Sequence, residues 1–274
     1  MVLKYKTLII PMKYFLHIGY TGTNYHGWQN QPNTSTVQGT IEEKLKCIFK
    51  EDIIVFGCGR TDAGVHASQY FINISIKKYF DFDLKFRLNK HLPNDIVVYD
   101  IIEVEERQHA RYDATSRTYN YFVHLYKDPV LGKYSSYYEF ENLDFKIMKK
   151  AAMLIPKYEN FEAVCKQPHL HNHTICHIKH TELLVDDLEK RFCFSITANR
   201  FLRGMIRLLV HFLLRVGSGK MTLETFEKVL SEQLNITDKK PAFANGLYLS
   251  EVTYPFITVE KPTTILSLLK NDLK

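Results

Sequence analysis

One carboxylate in this chain stands in a setting that suits chemistry. Asp62 lies in the segment GCGRTDAGVHASQ, where Gly57, Gly59 and Gly64 bracket it directly after the β-rich run IIVF. Glycines let the backbone turn sharply and let a ligand approach closely. Arg60, two residues away, would keep the carboxylate ionised, as nucleophilic or general-base work at neutral pH requires. The alternative is a β-turn in which Asp62 only accepts backbone hydrogen bonds, and the local pattern alone favours it.

A second segment combines aromatic rings with amide groups. Its sequence is YTGTNYHGWQNQPNTSTVQGTIEEKL, a polar loop that runs into an amphipathic helix. The loop contains the single tryptophan of the chain, Trp28, together with Asn24, Gln29, Asn30 and Gln31. Rings and amides of this kind hold splayed-out nucleobases. A surface loop with a buried tryptophan explains the pattern equally well.

A third segment, NRFLRGMIRLLVHFLLRVGSG, predicts an apolar helix with one basic stripe. Arg203, Arg207, His211 and Arg215 follow one another at intervals of four residues, which places them on one helical face. A helix that is otherwise apolar all round should be buried, so the stripe must meet solvent, a carboxylate or a phosphate. On the pattern alone, solvent is favoured. The functional alternative is that one of these arginines lies under a cleft and pairs with Asp62, because a partly buried guanidinium needs a partner.

Cysteines and histidines cluster in the segment CKQPHLHNHTICHIKH. Side chains of both types bind zinc, but the spacings here match no closed pair of C-x₂₋₄-C and H-x₃₋₅-H motifs. We therefore expect no metal and predict a solvated loop whose histidines approach phosphate. The candidate metal ligands that this argument sets aside are Cys165, His169, His171, His173, Cys176, His177 and His180.

The bulk composition is that of an ordinary globular protein. The chain has 274 residues, 45% of them hydrophobic, which is enough for one large core or two smaller ones. Its formal net charge of +6 permits a nucleic-acid partner without demanding one. Five cysteines without a CxxC pair fit a reduced, cytoplasmic setting. No apolar run reaches the roughly 20 residues of a membrane span, and we interpret residues 1–11 as a start-site extension before Met12 rather than an anchor or secretory signal.

The elements that must position these residues form two sets along the chain. Apolar runs bounded by turn residues predict strands near 13–18, 53–57, 68–76, 95–104, 117–126, 175–186, 190–198 and 246–254. Helical spacing predicts helices at 37–50, 82–91, 144–155, 201–216 and 222–233. The chain therefore divides into two α+β halves, residues 12–126 with the Asp62 loop and residues 143–255. The tail, residues 256–274, is either a docked helix or disordered.

Several segments of the chain together resemble one protein family. The motifs YTGTNYHGWQNQPNTSTVQ, GRTDAGVHA, LNKHLPNDI, HARYDATSRTYNY, ITANRFLRGMIR with VGSGK, and GLYLSEVTYP are similar, in the same order, to those of the TruA-type family of tRNA pseudouridine synthases. The resemblance covers the chain from about Met12 to Pro255. It implies an α+β fold of two similar halves, with mainly antiparallel sheets and a positively charged active-site cleft between them. Together with the other motifs, GRTDAGVHA is specific enough to replace the interpretation of Asp62 as only a turn residue.

The resemblance also implies roles for individual residues. Asp62 stands at the position of the catalytic aspartate, and Arg207 at the position of the arginine that pairs with it. Tyr119, in the run RTYNY, matches the tyrosine that contacts the target base, and we expect Arg60 to bind substrate as well. Departures from the usual family pattern fall outside these four positions, at Gln108, His173 and His211.

The activity implied by the resemblance is that of a cofactor-free isomerase. It would convert uridine to pseudouridine at positions 38 to 40 of the anticodon stem-loop, as a cytoplasmic homodimer with tRNA as its partner and without a membrane or a metal. Two other classes are weighed against it: a non-catalytic tRNA-binding or RNA-folding protein on the same fold, and a zinc-dependent RNA enzyme. The presence of Asp62, Tyr119 and Arg207 favours the isomerase.

Overall fold

The computed structural model describes residues 12–77, 79–260, 262 and 264–274, so the predicted start-site extension lies outside the described residues. The strands are β1 (Met12–Tyr20), β2 (Phe56–Gly57), β3 (His66–Ile76), β4 (Ile96–Val104), β5 (Ser116–His124), β6 (Ser136–Tyr137), β7 (Ile178–Val185), β8 (Arg191–Ala198) and β9 (Leu247–Thr253). The α-helices are α1 (Val37–Phe49), α2 (Leu84–His91), α3 (Phe145–Leu154), α4 (Met205–Gly217), α5 (Leu223–Ser231) and α6 (Ile265–Lys270). Short 3-10 helices cover Leu131–Lys133, Ile155–Lys157, Glu162–Val164 and Pro168–Leu170.

All the strands of the described residues belong to one sheet. Its order is β4-β1-β3-β9-β5-β8-β7, with β2 paired to β3 and β6 paired to β5. Neighbouring strands are antiparallel except for the pairs β3–β9 and β5–β6. The α+β class and the mainly antiparallel pairing expected from the sequence are confirmed.

The parallel contact between β3 and β9 joins strands from the two predicted halves of the chain. It is short, with His66 opposite Tyr248 and Ala67 opposite Leu249. His66 opens β3, only four residues after Asp62. The Asp62 loop therefore lies where strands from the two predicted halves meet in the sheet.

The strand β5 bears on the predicted division of the chain. It precedes residue 126 in sequence, yet it lies between β9 and β8, which come from the second predicted half. Tyr119 of β5 is paired with Leu249 of β9 and with Ile196 of β8. The division into residues 12–126 and 143–255 stays a prediction.

A large hydrophobic core extends through both predicted halves, and a smaller one lies beside α6. The helices α3, α4 and α5 pack against one another, and α1 contacts α2. In the smaller core, Leu266 and Leu269 of α6 pack with Phe122, Cys193 and Tyr248 of the sheet. Of the two alternatives for the tail, the docked helix is the one observed.

Two elements are shorter than the apolar runs predict. The helix α4 begins at Met205 because Gly204 precedes it in the left-handed conformation, with φ of 69°, which a right-handed helix does not continue. The strand predicted at 53–57 is reduced to β2. Ile53 and Val55 are buried, at 5% and 1% exposure, but they lie in irregular backbone before β2. The apolar run at 53–57 therefore reflects burial of an irregular segment and not a full-length strand.

Candidate active site

The loop that carries Asp62 lies between β2 and β3 and is held by buried tyrosines. The hydroxyl of Thr61 lies 2.8 Å from the hydroxyl of Tyr20, and both residues are buried. The hydroxyl of Tyr70 donates to the carbonyl of Gly59 at 2.5 Å. These bonds fix the backbone before Asp62, whose side chain is 35% exposed. The carboxylate is therefore both positioned and accessible.

The loop after β1 closes onto the Asp62 loop from the other side. Gly27 has φ of 94°, and a Cβ at this position would lie 2.5 Å from the carbonyl oxygen of Thr61. The main-chain N–H of Trp28 donates to the same oxygen at 3.1 Å. The indole ring is only 3% exposed and packs on Tyr70 with ring centroids 4.3 Å apart. Trp28 is thus buried support for the Asp62 loop, and the interpretation as a buried tryptophan in a surface loop is the one observed.

Arg207 of α4 reaches the Asp62 carboxylate from the second half of the chain. Its Nη1 lies 3.0 Å from Asp62 Oδ2, and its Nε donates to the carbonyl of Ala242 at 2.6 Å. The main-chain N–H of Ala242 donates in turn to the Arg207 carbonyl at 2.9 Å. The arginine side chain is only 16% exposed, so its charge needs the carboxylate as a partner.

The other members of the basic stripe also meet protein groups. His211 Nε2 lies 3.1 Å from the main-chain oxygen of Asp238, and Arg215 Nη1 lies 3.3 Å from the Asp238 carboxylate. Arg203, which precedes α4, donates to the side-chain oxygen of Gln167. Solvent, which the pattern alone favoured, is met by the exposed Arg203, whereas Arg207 and Arg215 pair with carboxylates.

Tyr119 of β5 lies next to this ion pair. Its side chain is 8% exposed, and its ring meets the ring of Phe201 edge-on at a centroid distance of 5.1 Å. Burial, then the neighbouring Cys58 and the charge of Asp62, raise the pKa of the Tyr119 hydroxyl, and Arg117 opposes them. The hydroxyl therefore stays protonated at neutral pH and is available as a hydrogen-bond donor.

Arg60 does not have the role that its closeness in sequence suggests. It is exposed, and it forms no ion pair or hydrogen bond with Asp62 in the described part of the chain. The guanidinium that balances Asp62 comes instead from Arg207, 145 positions further along the chain. The Arg60 side chain is left open to a ligand with negative charge.

Arg117 is a residue that the sequence did not single out, although it ties three segments around the site. Its guanidinium donates to the carbonyl of Cys58 at 2.8 and 3.2 Å, to that of Arg111 at 2.8 Å and to that of Asn199 at 3.0 Å. The one available signal was its position in RTYNY, because residues two apart on a strand share a face. That rule places Arg117 on the same face of β5 as Tyr119.

The segment rich in cysteine and histidine shows no metal-binding arrangement. Among the described residues, no group of three or more His, Cys, Asp or Glu side chains is placed to hold a metal ion. Cys165 and Cys176 are buried, whereas His169, His173 and His177 are exposed.

The helices were also compared with the length of a membrane span. No helix within residues 12–77 and 79–274, leaving aside 261 and 263, is long and apolar enough to span a membrane.

Comparison with known proteins defines the class to which this fold and site belong. The family model described as tRNA pseudouridine synthase matches residues 17–113 and 158–255. tRNA pseudouridine synthase A of Bacteroides thetaiotaomicron is 40% identical over 261 residues, which cover 94% of this chain and 97% of that protein. The chain belongs to the tRNA pseudouridine synthase family.

Two further relatives are also named tRNA pseudouridine synthase A. The enzyme of Bacteroides fragilis is 39% identical over 246 residues, covering 89% of this chain and 96% of its own length. That of Acetivibrio thermocellus is 34% identical over 241 residues, covering 87% of this chain and 98% of its own length. Arg60, Asp62 and Arg207 fall within the ranges matched by the family model, and Tyr119 falls between them.

Proposed function

We propose that this protein isomerises uridine to pseudouridine in tRNA, at positions 38 to 40 of the anticodon stem-loop, with Asp62 as the catalytic residue. The observation that carries the proposal is the ion pair between Asp62 and Arg207, at 3.0 Å. It places a guanidinium against an accessible carboxylate beside the contact between β3 and β9. The names of the relatives support tRNA as the substrate.

The proposed reaction is a rearrangement within one nucleotide. The N1–C1′ bond breaks, the uracil turns, and a C5–C1′ bond forms, while C5 loses a proton and N1 gains one. No redox change takes place, so the reaction requires no cofactor. Asp62 would either add covalently, to C6 of the base or to C1′ of the ribose, or remove a sugar proton to give a glycal-like intermediate. Each route requires the carboxylate as an anion, and Arg207 is the cation that lies against it at 3.0 Å.

The target base must leave its stack before Asp62 can reach it. We propose that Tyr119 packs against the extruded ring and that its protonated hydroxyl serves a proton step. Arg60, which is exposed and has no partner among the described residues, would bind the substrate through its free guanidinium. Asp62, Arg207 and Tyr119 would then surround the reacting nucleotide.

The wider arrangement is part of the same proposal. The halves 12–126 and 143–255 would flank a positively charged cleft that receives the anticodon stem-loop. The protein would act as a cytoplasmic homodimer without a bound metal. The position of Asp62 beside the β3–β9 contact supports a cleft between the halves, since both halves supply groups to the site.

Replacement of Asp62 tests the assignment. Asp62→Asn keeps size and hydrogen bonding but removes the anion, so the single-turnover rate should fall at least ~10⁴-fold, about 5 to 6 kcal/mol of barrier. Affinity for tRNA should change little, because phosphate contacts lie elsewhere. Asp52→Asn, at a side chain that is 82% exposed, is the matched control and should behave as wild type.

Two results would reject the proposal in different ways. If Asp62→Asn forms pseudouridine at a rate near that of the wild type, Asp62 is not the catalytic residue. If the wild-type protein binds tRNA tightly but forms pseudouridine in no tRNA, the protein is a non-catalytic tRNA-binding member of the family.

A further inference from the structure

A group of basic side chains, of which the lysine and the arginines carry the positive charge, lies beside the site, on the second half of the chain. We call it the cationic cluster, and its members are Lys166, His171, His173, Arg200 and Arg203. Arg200 and His171 are half-buried, and the other three are exposed. No member forms an ion pair with a carboxylate of the described residues.

The members of the cationic cluster are close to one another. Arg200 Nη1 lies 2.9 Å from His173 Nε2, and the main-chain N–H of Lys166 donates to the Arg203 carbonyl at 2.9 Å. Partial burial, and then the positive charges of Arg200, Arg203 and His173, lower the pKa of His171. The positive charges of Arg200 and Arg203 act on the same imidazole, so they lie near one another and repel, and a bound anion would relieve that repulsion.

The nearby arginines of α4 differ from the cluster in how their charge is balanced. Arg207 pairs with the Asp62 carboxylate at 3.0 Å, and Arg215 pairs with a carboxylate at 3.3 Å. Among the residues that the structure describes, the side chains of Arg200 and Arg203 donate instead to neutral acceptors, a histidine ring nitrogen and an amide oxygen. Neutral acceptors orient the guanidinium groups without cancelling their charge, which favours an anionic ligand.

The segment 199–203 connects the cationic cluster directly to the candidate active site. The carbonyl of Asn199 accepts a hydrogen bond from Arg117 at 3.0 Å, and the ring of Phe201 contacts Tyr119. From the same segment, Arg200 contacts His173 in the cysteine- and histidine-rich loop. An RNA strand whose target nucleotide lies at Tyr119 would therefore carry its neighbouring phosphates past the cluster.

We propose that the cationic cluster binds backbone phosphates of the tRNA strand that carries the target uridine. The proposal rests on the proposed function, since it takes tRNA as the ligand. Arginine forms bidentate hydrogen bonds with phosphate, and imidazole N–H groups donate to the same oxygens. Contacts of this kind position RNA without reading its sequence, so the cluster should serve every tRNA that the enzyme binds.

Removal of single charges tests the cluster. In the otherwise unchanged chain, Arg200→Gln and Arg203→Gln should each weaken tRNA binding about tenfold, the loss expected for one charge-assisted hydrogen bond. The dependence of log affinity on log salt should become shallower by roughly 0.7 to 0.9 for each lost phosphate contact. The double variant His171→Gln/His173→Gln should weaken binding in the same direction. Filter binding over a series of KCl concentrations measures both quantities.

Two comparisons separate charge loss from other effects. Lys46→Gln removes a lysine of α1 that Asp52 neutralises at 2.8 Å, so both affinity and salt dependence should match the wild type. Arg203→Lys keeps the charge and should retain most of the salt dependence that Arg203→Gln loses. Thermal unfolding of each variant should match that of the wild type, because the altered side chains are exposed or half-buried.

The outcomes distinguish the cluster from the proposed function. If Arg200→Gln and Arg203→Gln bind tRNA with the affinity and salt dependence of Lys46→Gln, the cluster does not contact RNA. If inorganic phosphate binds the wild type but not these variants while their tRNA affinity is unchanged, the cluster is a free-anion site and the assignment to RNA is wrong. Failure of the proposed function would appear instead as absence of pseudouridine with the wild type. The binding measurements do not depend on pseudouridine formation, so they test the cluster separately.

Discussion

At the scale of single residues, the site depends on a pair that is distant in sequence. Arg207 lies 145 positions after Asp62, whereas Arg60, two positions before it, is exposed. The Nε bond from Arg207 to the Ala242 carbonyl, at 2.6 Å, fixes the guanidinium plane in front of the carboxylate. A preorganised cation of this kind stabilises a charge without reorganisation during the reaction.

Replacement of Arg207 should therefore impair chemistry more than binding. We expect Arg207→Met to lower kcat by about 10²- to 10³-fold, the usual effect of removing one preorganised donor, with a smaller change in KM. Arg207→Lys keeps a positive charge but loses the Nε bond to Ala242, so its rate should lie between those of Arg207→Met and the wild type. Steady-state rates over a series of tRNA concentrations measure kcat and KM. A loss confined to KM would show that Arg207 binds tRNA and does not support Asp62.

At the scale of elements, hydrophobic periodicity predicted individual strands and helices but not which strands pair. The apolar runs located β1, β3, β5, β8 and β9, and the spacing of four located the stripe on α4. The start of α4 was predicted four residues too early. The spacing of apolar residues does not show that Gly204 has a left-handed conformation, which ends the helix on its N-terminal side. The β3–β9 contact joins residues about 180 positions apart, with His66 opposite Tyr248, and nothing in either strand alone specifies that partner.

The candidate site divides in the same way. Asp62 and Arg207 were predicted because both lie in motifs that resemble those of the family, and that resemblance implied the pairing between them, whereas the stripe pattern alone favoured solvent. The burial of Trp28 was left open, since a loop sequence does not reveal which ring packs inward. Arg117 was missed because its partners are three main-chain carbonyls, and carbonyls have no side-chain signature in a sequence.

The contact between the loop after β1 and the Asp62 loop requires glycine at position 27. A Cβ there would lie 2.5 Å from the Thr61 carbonyl, and the residue has φ of 94°, which L-residues rarely adopt. We expect Gly27→Ala to destabilise the protein by about 1 to 3 kcal/mol and to lower kcat by displacing the Asp62 loop. Gly132→Ala is the control, because nothing lies within 4 Å of its added Cβ. Equal melting temperatures and rates for the two variants would contradict this account.

At the scale of the whole molecule, a buried histidine lies where β3 pairs with β9. His66 Nδ1 accepts a hydrogen bond from the main-chain N–H of Gly22 at 3.1 Å, and its Nε2 lies 3.1 Å from the Asn245 carbonyl, to which it donates. The ring stacks on Tyr248 with centroids 4.6 Å apart and is fully buried. One ring nitrogen accepts and the other donates, so this arrangement requires the neutral imidazole.

The neutral state of His66 should make the molecule sensitive to acid. Burial lowers the pKa of His66 to about 4, whereas an unfolded chain has a histidine pKa of about 6.5. Below about pH 6.5 the unfolded state therefore binds the proton more readily, and the free energy of unfolding should fall as the pH decreases towards 4. Between pH 7 and pH 5 this linkage amounts to about 2 kcal/mol.

Urea unfolding of the wild type and of His66→Gln at both pH values measures the linkage. Between pH 7 and pH 5 the free energy of unfolding of His66→Gln should fall by about 2 kcal/mol less than that of the wild type. The control is His91→Gln, at an exposed histidine of α2, for which the free energy of unfolding should fall as much as for the wild type. If His66→Gln and the wild type lose equal amounts, His66 is not a buried neutral base in the folded protein.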